Sequence, residues 1–305
     1  MRIVAALGGN ALLKRGDPMT AATQAENVRK AVAWLAPLIL EGHQLVITHG
    51  NGPQVGLLAM QADSGSPDGA YPLDVLDAET EGMIGYLIER ELQSVLPSGA
   101  LTACLLTQIT VDRRDPALNR PSKPIGPTYT QEIAEALAAM RGWSIAADGK
   151  GWRRVVPSPE PQEILEARVI DMLVAQGVTV ICAGGGGIPV IEQCDGSLRG
   201  VEAVIDKDLA SALLARLLRA DRLLLLTDVD AVYLDWGTPT ARPIRHARSG
   251  QLRASDFAPG SMGPKIDAAC RFANETGKVA SIGRIEDVRA IIIGDAGTTI
   301  AASSR

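Results

Sequence analysis

Short apolar runs alternate with longer helical patterns along this chain of 305 residues. The runs at 2–7, 44–48, 101–111, 178–184 and 222–229 are dense in aliphatic residues and predict buried strands. Between them, apolar residues recur every three or four positions. Over 20–41, for example, Val28, Val32, Leu35 and Ile39 fall on one helical face, and Gly42 follows as a stop signal. This alternation predicts an α/β fold around a mainly parallel sheet.

The rest of the chain follows the same rule. Further helices are predicted from Pro53, over 73–96, over 163–176, from near Asp206 and after GSMGPK at 260–265. The last part of the chain adds a strand at 279–283, a short helix and a strand at 298–301.

Composition changes between residues 112 and 161, which hold many prolines and clustered arginines. A short helix at about 131–141 and two short strands, at 143–148 and 152–156, fit within this segment. We interpret it as an inserted, protruding subdomain. The strand at 222–229 then begins a C-terminal lobe.

Bulk composition limits the possible function classes. The chain is 46% apolar and 21% charged, which is typical of a soluble globular protein, and its net charge of −5 argues against a nucleic-acid partner. The first apolar run is too short for a signal peptide or a membrane-spanning helix. We therefore expect no nucleic-acid partner and no membrane association.

Cysteine spacing argues against a zinc site. Cys104, Cys182, Cys194 and Cys270 contain no C-x-x-C pair, and no histidine lies at ligand spacing from them. We expect three buried reduced thiols and Cys194 in a loop, which favours a cytoplasmic protein.

Three glycine-rich loops follow predicted strands: LGGNALL at 7–13, HGNGPQVG at 49–56 and CAGGGGIPV at 182–190. Glycines at the carboxyl ends of parallel strands expose backbone N–H groups, and a helix start adds a positive dipole end. Glycines also simply permit tight turns. Because three loops share the pattern, we favour a site for an anion.

Lysine usage supports an anion site. The chain has 7 lysines against 23 arginines, so a lysine in an unusual setting is informative. Lys207 and Lys265 lie at predicted helix starts, where the helix dipole disfavours a cation, and Lys123 lies in SKPIGP. We expect these three to point at an anion. The other four are interpreted as surface charges: Lys14, Lys30, Lys150 and Lys278.

Two motifs add carboxylates. In AVIDKDLAS, Asp206 is the expected N-cap, and Asp208 either holds lysines in place or forms a capping pair beside a solvated Lys207. In LTDVDAVY, Asp228 and Tyr233 either bind a metal, ribose or adenine, or only end the strand.

Several catalytic templates are missing from the sequence. There is no P-loop, no complete dinucleotide fingerprint and no G-x-S-x-G nucleophile motif. His49 is the one histidine beside a glycine loop. It suits proton transfer or a hydrogen-bonded structural role, of which we favour the second.

Taken in order, the motifs resemble those of carbamate kinases in the amino acid kinase superfamily. They are ALGGNALL, HGNGPQVG, EGMIGYLI, KPIGP, GWRRVVPSP, GGGGIPV, AVIDKDLAS, LTDVDAVY and GSMGPK, spread over residues 2 to about 300. YPLDVLDAETEGMIGYLI and DKDLASALLA look especially similar to carbamate kinase-like proteins linked to bacterial allantoin catabolism. At 148–151 the chain reads DGKG, where the family often has an arginine, so Lys150 has no assigned role.

This resemblance implies a fold and a reaction. The fold is a three-layer αβα sandwich around a mostly parallel sheet of about eight strands, in one domain spanning 1–305. Its acceptor lobe covers about 1–220, with the inserted lid at about 112–161, and its nucleotide lobe covers about 221–305. The reaction is reversible phosphoryl transfer from MgATP to carbamate, giving ADP and carbamoyl phosphate, in a cytoplasmic homodimer.

The same resemblance implies roles for individual residues. Lys207 and Lys265 contact the nucleotide phosphates, Lys123 reaches in from the subdomain, and Asp208 orders the lysines. The residues expected around the acceptor and the transferred group are Gly8, Gly9, Asn10, Gly50, Asn51 and Gly52. Those expected at the nucleotide are Asp228, Tyr233, Met262 and Gly263, together with Lys265.

Two alternatives stay open. One is a kinase of the same superfamily that acts on another small anionic acceptor, such as acetylglutamate, aspartate or uridylate. The other is a ligand-binding homologue without catalysis, against which the presence of Lys207, Asp208 and Lys265 argues. The motifs do not identify the pathway, since arginine, agmatine and allantoin breakdown all yield carbamoyl phosphate. They also do not identify the magnesium ligands.

Overall fold

A computed structural model describes residues 1–12, 17–65, 71–149, 151–258 and 260–303, with only the backbone described at 10, 11 and 63–65. Lys14 and Lys150 lie outside these residues. A sheet of eight strands forms the centre. Its strands, in spatial order, are β15 (His246–Arg248), β17 (Thr298–Ala301), β16 (Val279–Arg284), β12 (Arg222–Thr227), β1 (Arg2–Leu7), β2 (Gln44–His49), β9 (Thr179–Ile181) and β3 (Thr102–Cys104).

The sheet is mostly parallel, as the sequence predicts. Six strands, from β16 to β3, run in one direction. β15 and β17 are parallel to each other, and β17 is antiparallel to β16. The helices are α1 (Gly9–Leu12), α2 (Ala21–Leu40), α3 (Gly52–Gly65), α4 (Leu73–Val95), α5 (Gln131–Arg141), α6 (Ala167–Ala175), α7 (Lys207–Leu217), α8 (Met262–Thr276) and α9 (Val288–Ile293).

Alternate side chains of β1 divide the core into two layers. Ile3 and Leu7 belong to a buried cluster with residues of α2, α4 and α9, whereas Val4 and Ala6 belong to a cluster with residues of α6, α7 and α8. Successive strand residues point to opposite faces, so helices cover both sides of the sheet. This confirms the three-layer α/β architecture.

Three smaller sheets complete the structure. One has the order β11 (Leu198–Gly200), β10 (Ile188–Glu192), β4 (Gln108–Val111), β8 (Pro161–Ile164), and another pairs β13 (Val232–Leu234) with β14 (Arg242–Ile244). The third has the order β5 (Lys123–Tyr129), β7 (Gly151–Val156), β6 (Ser144–Asp148). It lies within the segment interpreted as an insertion, where α5 and two of the strands were predicted and β5 was missed.

Two predicted elements are wrong in detail. The single strand at 101–111 is two strands: β3 pairs with β9 in the large sheet, and β4 pairs with β10 in a small one. Thr107, between them, donates its backbone N–H to Glu81, which ends the first pairing. The helix predicted from residue 163 begins at Ala167, because 161–164 form β8 against β4.

Of the three cysteines expected to be buried, one is buried. All four thiols are free; Cys182 is buried and Cys194 is exposed, whereas Cys104 and Cys270 are only half-buried. Among the described helices, none combines the length and apolar character needed to cross a membrane.

Candidate active site

The first two glycine loops, at 8–10 and 50–52, meet at the carboxyl ends of β1 and β2. Gly50 donates its N–H to the carbonyl of Leu7 at 3.0 Å. A methyl group added to Gly50 would lie 3.2 Å from the nitrogen of Gly9 and 3.6 Å from Cε of Lys207. The two loops and this lysine are therefore in mutual contact, as expected for one site. The side chain of Asn10 lies outside the described atoms.

The third glycine loop, at 184–187, packs against protein atoms. Gly185 has φ +69°, and a methyl group on it would lie 2.1 Å from Nδ2 of Asn51. A methyl group on Gly186 would lie 2.4 Å from the carbonyl oxygen of Ile205. These glycines allow the loop to approach the second loop and the segment before α7.

Lys207, Asp208 and Lys265 form one buried charged cluster. The Asp208 carboxylate accepts a hydrogen bond from the Lys207 ammonium at 2.6 Å and another from the Lys265 ammonium at 2.9 Å. All three residues are less than 10% exposed. Of the two roles open for Asp208, the structure thus supports the ordering of lysines.

The pKa values in this cluster follow from burial and from charge. Burial by itself would raise the pKa of Asp208, but the two ammonium groups outweigh it and hold that pKa well below its usual range. Burial lowers the pKa of Lys207, and repulsion from Lys265 lowers it further. Burial also opposes the charge of Lys265, but attraction by Asp208, Asp206 and Asp228 raises its pKa above the ordinary value.

Asp206 has a larger role than the sequence predicts. Its Oδ1 accepts from the N–H groups of Asp208 at 2.8 Å and Leu209 at 3.3 Å, which confirms it as the N-cap of α7. Its Oδ2 accepts from the ammonium of Lys123. Burial opposes ionisation of Asp206, yet the charge of Lys123 keeps its pKa below the ordinary value. One capping residue therefore joins α7 to the lysine on β5.

The three-stranded sheet packs closely on α3 through backbone atoms of β5. A methyl group on Gly56 would lie 2.0 Å from Cα of Gly126, which has φ +72° in β5. Position 56 must therefore be glycine for α3 and β5 to come this close. The contact fixes the position of Lys123, three residues before Gly126 on the same strand.

The residues expected at the nucleotide lie around α8 and the end of β12. Met262 begins α8, one turn before Lys265, and Gly263 donates its N–H to the carbonyl of Ala258 at 2.9 Å. Asp228 follows β12 and raises the pKa of Lys265 by its charge. Tyr233 donates its hydroxyl to Asp230 at 2.9 Å. The structure therefore brings Asp228 near the buried charged cluster. That these four residues contact a nucleotide stays a prediction.

His49 is packed as a neutral ring. It is fully buried, and burial lowers its pKa to about 4. A methyl group on Gly184 would lie 2.4 Å from the ring, so the third loop closes over it. Burial favours the structural interpretation over proton transfer. Of the expected hydrogen bonds, Nδ1 approaches the carbonyl of Gly50 at 3.4 Å, whereas Nε2 has no partner within the described residues.

Sequence reasoning missed the acidic turn of α4. Asp77 and Glu81 are both 1% exposed, and their side chains reach the glycine loops. The sequence did contain a signal for them. In DAETE, two carboxylates four residues apart lie on the helix face that packs into the core, where acidic residues are rare.

Comparison with known proteins places the chain in a family. Residues 1–283 match the model of the amino acid kinase family. A curated carbamate kinase of Rhizobium meliloti (strain 1021) is 52% identical over 305 residues, covering 99% of this chain and 94% of that protein.

Solved structures agree with this comparison. A carbamate kinase from Giardia lamblia bound to citric acid superposes with a TM-score of 0.92 at 38% identity, covering 99% of this chain and 98% of the other. The same enzyme bound to AMP-PNP gives a TM-score of 0.87 at 37% identity, with the same coverage. The chain belongs to the amino acid kinase family, within its carbamate kinase group.

Proposed function

We propose that the chain is a carbamate kinase, which transfers a phosphoryl group between ATP and carbamate. An oxygen of carbamate attacks the γ-phosphorus of ATP, the bond from the γ-phosphorus to the β-bridging oxygen breaks, and carbamoyl phosphate and ADP result. Carbamoyl phosphate is a mixed anhydride with high transfer potential. In a catabolic cell we therefore expect the enzyme to run toward ATP.

The observation that carries this proposal is the lysine cluster beside the two glycine loops. Phosphoryl transfer requires mainly positioning and neutralisation of charge. Lys207 and Lys265 would contact the nucleotide phosphates, while Asp208 fixes both ammonium groups. Lys123 would reach the same site from β5. Carbamate already carries an anionic oxygen, so no general base is needed, in agreement with a neutral, buried His49.

The acceptor and the nucleotide would occupy opposite sides of this cluster. We assign the acceptor side to the first two loops, through Gly8, Gly9, Asn10, Gly50, Asn51 and Gly52. We assign the nucleotide side to Asp228, Tyr233, Met262, Gly263 and Lys265. The relative that binds AMP-PNP supports use of an adenine nucleotide.

Mg²⁺ would enter with the nucleotide and neutralise charge on its phosphate oxygens. The described residues contain no group of three or more acidic, histidine or cysteine side chains that could hold a metal. Mg²⁺ commonly keeps several waters and binds one or two carboxylates plus substrate phosphates, so it would be held mainly by the nucleotide. We further propose a cytoplasmic homodimer in which residues 112–161 act as a lid.

The test is an assay of ATP formation from ADP and carbamoyl phosphate, coupled to luciferase. Acetyl phosphate serves as the comparison donor, and in the reverse direction acetylglutamate, aspartate and uridylate compete with carbamate as acceptors. We expect turnover with carbamoyl phosphate alone among the donors. Faster turnover with another acceptor would support the first alternative. ADP binding by calorimetry without any turnover would support a non-catalytic homologue.

A further inference from the structure

The side chain of Asn51 is held by α4. Its Nδ2 donates to Oδ1 of Asp77 at 2.8 Å and to Oγ1 of Thr80 at 2.9 Å, so both amide hydrogens are used within the protein. The backbone carbonyl of Asn51 also accepts from the N–H of Val55 at 2.9 Å, which places Asn51 at the N-cap position, directly before α3. Holding Asn51 therefore sets the direction of the first N–H groups of α3, which have no partner inside that helix.

Glu81, one turn further along α4, holds the third glycine loop. Its Oε1 accepts from the N–H of Gly184 at 2.7 Å, and its Oε2 accepts from the N–H of Thr107 at 3.1 Å. The third loop in turn packs on Asn51 through Gly185. Two carboxyl groups on one helix face thus fix both loops around Asn51.

Burial removes both carboxyl groups from water. Burial raises the pKa of Asp77 well above its ordinary value and that of Glu81 to about 8. Oδ2 of Asp77 is buried and has no hydrogen-bond partner within the described part of the chain. Apolar residues on this face of α4 would avoid that desolvation penalty. The acidic residues are therefore explained by the polar groups of the glycine loops that they bind.

We propose that Asp77 and Glu81 are positioning residues, which act through Asn51 and Gly184 to set the affinity of the site for carbamoyl phosphate. This inference rests on the proposed function, because it takes the second glycine loop as part of the acceptor site. Lys265 and Asp228 belong to other elements, so nucleotide binding should not depend on this turn of α4.

Asp77 and Glu81 make different hydrogen bonds, so different substitutions test them. When ionised, Glu81 accepts with both oxygens, whereas Glu81→Gln keeps one acceptor and turns an NH₂ group toward a backbone N–H. The two enzymes are therefore compared above the Glu81 pKa of about 8. Asp77 accepts from Asn51 with one oxygen, which Asp77→Asn retains and Asp77→Ala removes. Glu79→Gln is the matched control, since Glu79 lies on the exposed face of the same helix.

The experiment measures KM for carbamoyl phosphate, KM for ADP and kcat in the full-length variants. We expect Glu81→Gln and Asp77→Ala to raise KM for carbamoyl phosphate about tenfold or more, as unpaired buried N–H groups commonly do. KM for ADP should stay within about twofold, and Asp77→Asn should recover most of the loss.

Several outcomes would overturn the inference. One is equal change in both KM values; another is a Glu81→Gln enzyme that matches Glu79→Gln. Failure of both Glu81→Gln and Asp77→Ala to fold would assign the carboxyl groups to the stability of the fold instead. If the wild-type chain and Glu79→Gln form no ATP, the proposed function fails and the inference falls with it; if both are active, only the inference is under test.

Discussion

The contact between Gly56 and Gly126 allows a sharp test of how the three-stranded sheet serves the site. In Gly56→Ala the new methyl group would lie 2.0 Å from Cα and 2.1 Å from N of Gly126. Both are backbone atoms, so no side-chain rotation relieves the overlap. Restoring an ordinary contact of 3.4 Å requires β5 to move away from α3 by about 1.4 Å.

That movement would displace Lys123, which shares β5 with Gly126 and whose ammonium is bound by Asp206. A misplacement of about 1 Å near the reacting groups can cost about 10²-fold in rate, so turnover should fall by roughly that factor. Alanine favours a helix interior over glycine by about 1 kcal/mol, so α3 itself gains from the change. A loss of activity would therefore come from the displaced sheet.

Gly82→Ala is the control, since Gly82 is also within a helix and its added methyl group meets only Cδ2 of Leu106, at 3.9 Å. Turnover is measured by the luciferase assay at saturating ADP and carbamoyl phosphate, and ADP affinity by calorimetry. We expect normal ADP affinity in both variants and lost turnover in Gly56→Ala alone. Turnover in Gly56→Ala within about threefold of the control would refute this reasoning.

Two further predictions concern the charged cluster and the buried histidine. Lys207→Ala should lower turnover by about 10²–10³. Lys207→Arg should not restore it, because the longer and wider guanidinium would have to fit where the Lys207 side chain already lies beside Gly50; an Arg variant within tenfold of wild type would contradict this. His49 has a folded pKa of about 4 against 6.5, so its contribution to stability is complete above pH 6.5 and is lost toward pH 4. The loss is about 3 kcal/mol, and urea titrations should show a steeper pH dependence for wild type than for His49→Gln.

The central sheet was predictable because its strands carry a local signal. Runs such as 223–226 are buried from both faces, so they are apolar at every position, and the intervening helices show one apolar face. The break inside 101–111 has no such signal. Leu105 and Leu106 continue the apolar run, and only the distant partners of Thr107, on α4 and β10, show that the chain changes sheets there.

The site was predictable where residue type is unusual for its setting. Lysines at helix starts led to Lys207 and Lys265, and the adjacent Asp208 suggested their pairing. The direction in which a side chain points could not be predicted in this way. Asn51 lies in a glycine loop that suggests ligand contact, but its amide hydrogens point to Asp77 and Thr80, residues that are 26 and 29 positions away in sequence. The direction of the Asn51 side chain depends on how distant parts of the chain pack together, which no local pattern in the sequence shows.

The charges of the lysine–aspartate cluster favour an anionic ligand at the proposed site. Lys123, Lys207 and Lys265 carry three positive charges, and the aspartates that bind them, Asp206 and Asp208, carry two negative ones. Within this group of five one positive charge is in excess, and Asp228, outside the group, also attracts Lys265. Burial is the first cause of the lowered pKa of Lys207, and repulsion from Lys265 adds to it. A phosphate group between the loops and the lysines would supply the missing charge. Because a transferring phosphoryl group stays negative throughout the reaction, the same excess charge that would bind the substrate would also stabilise its transition state.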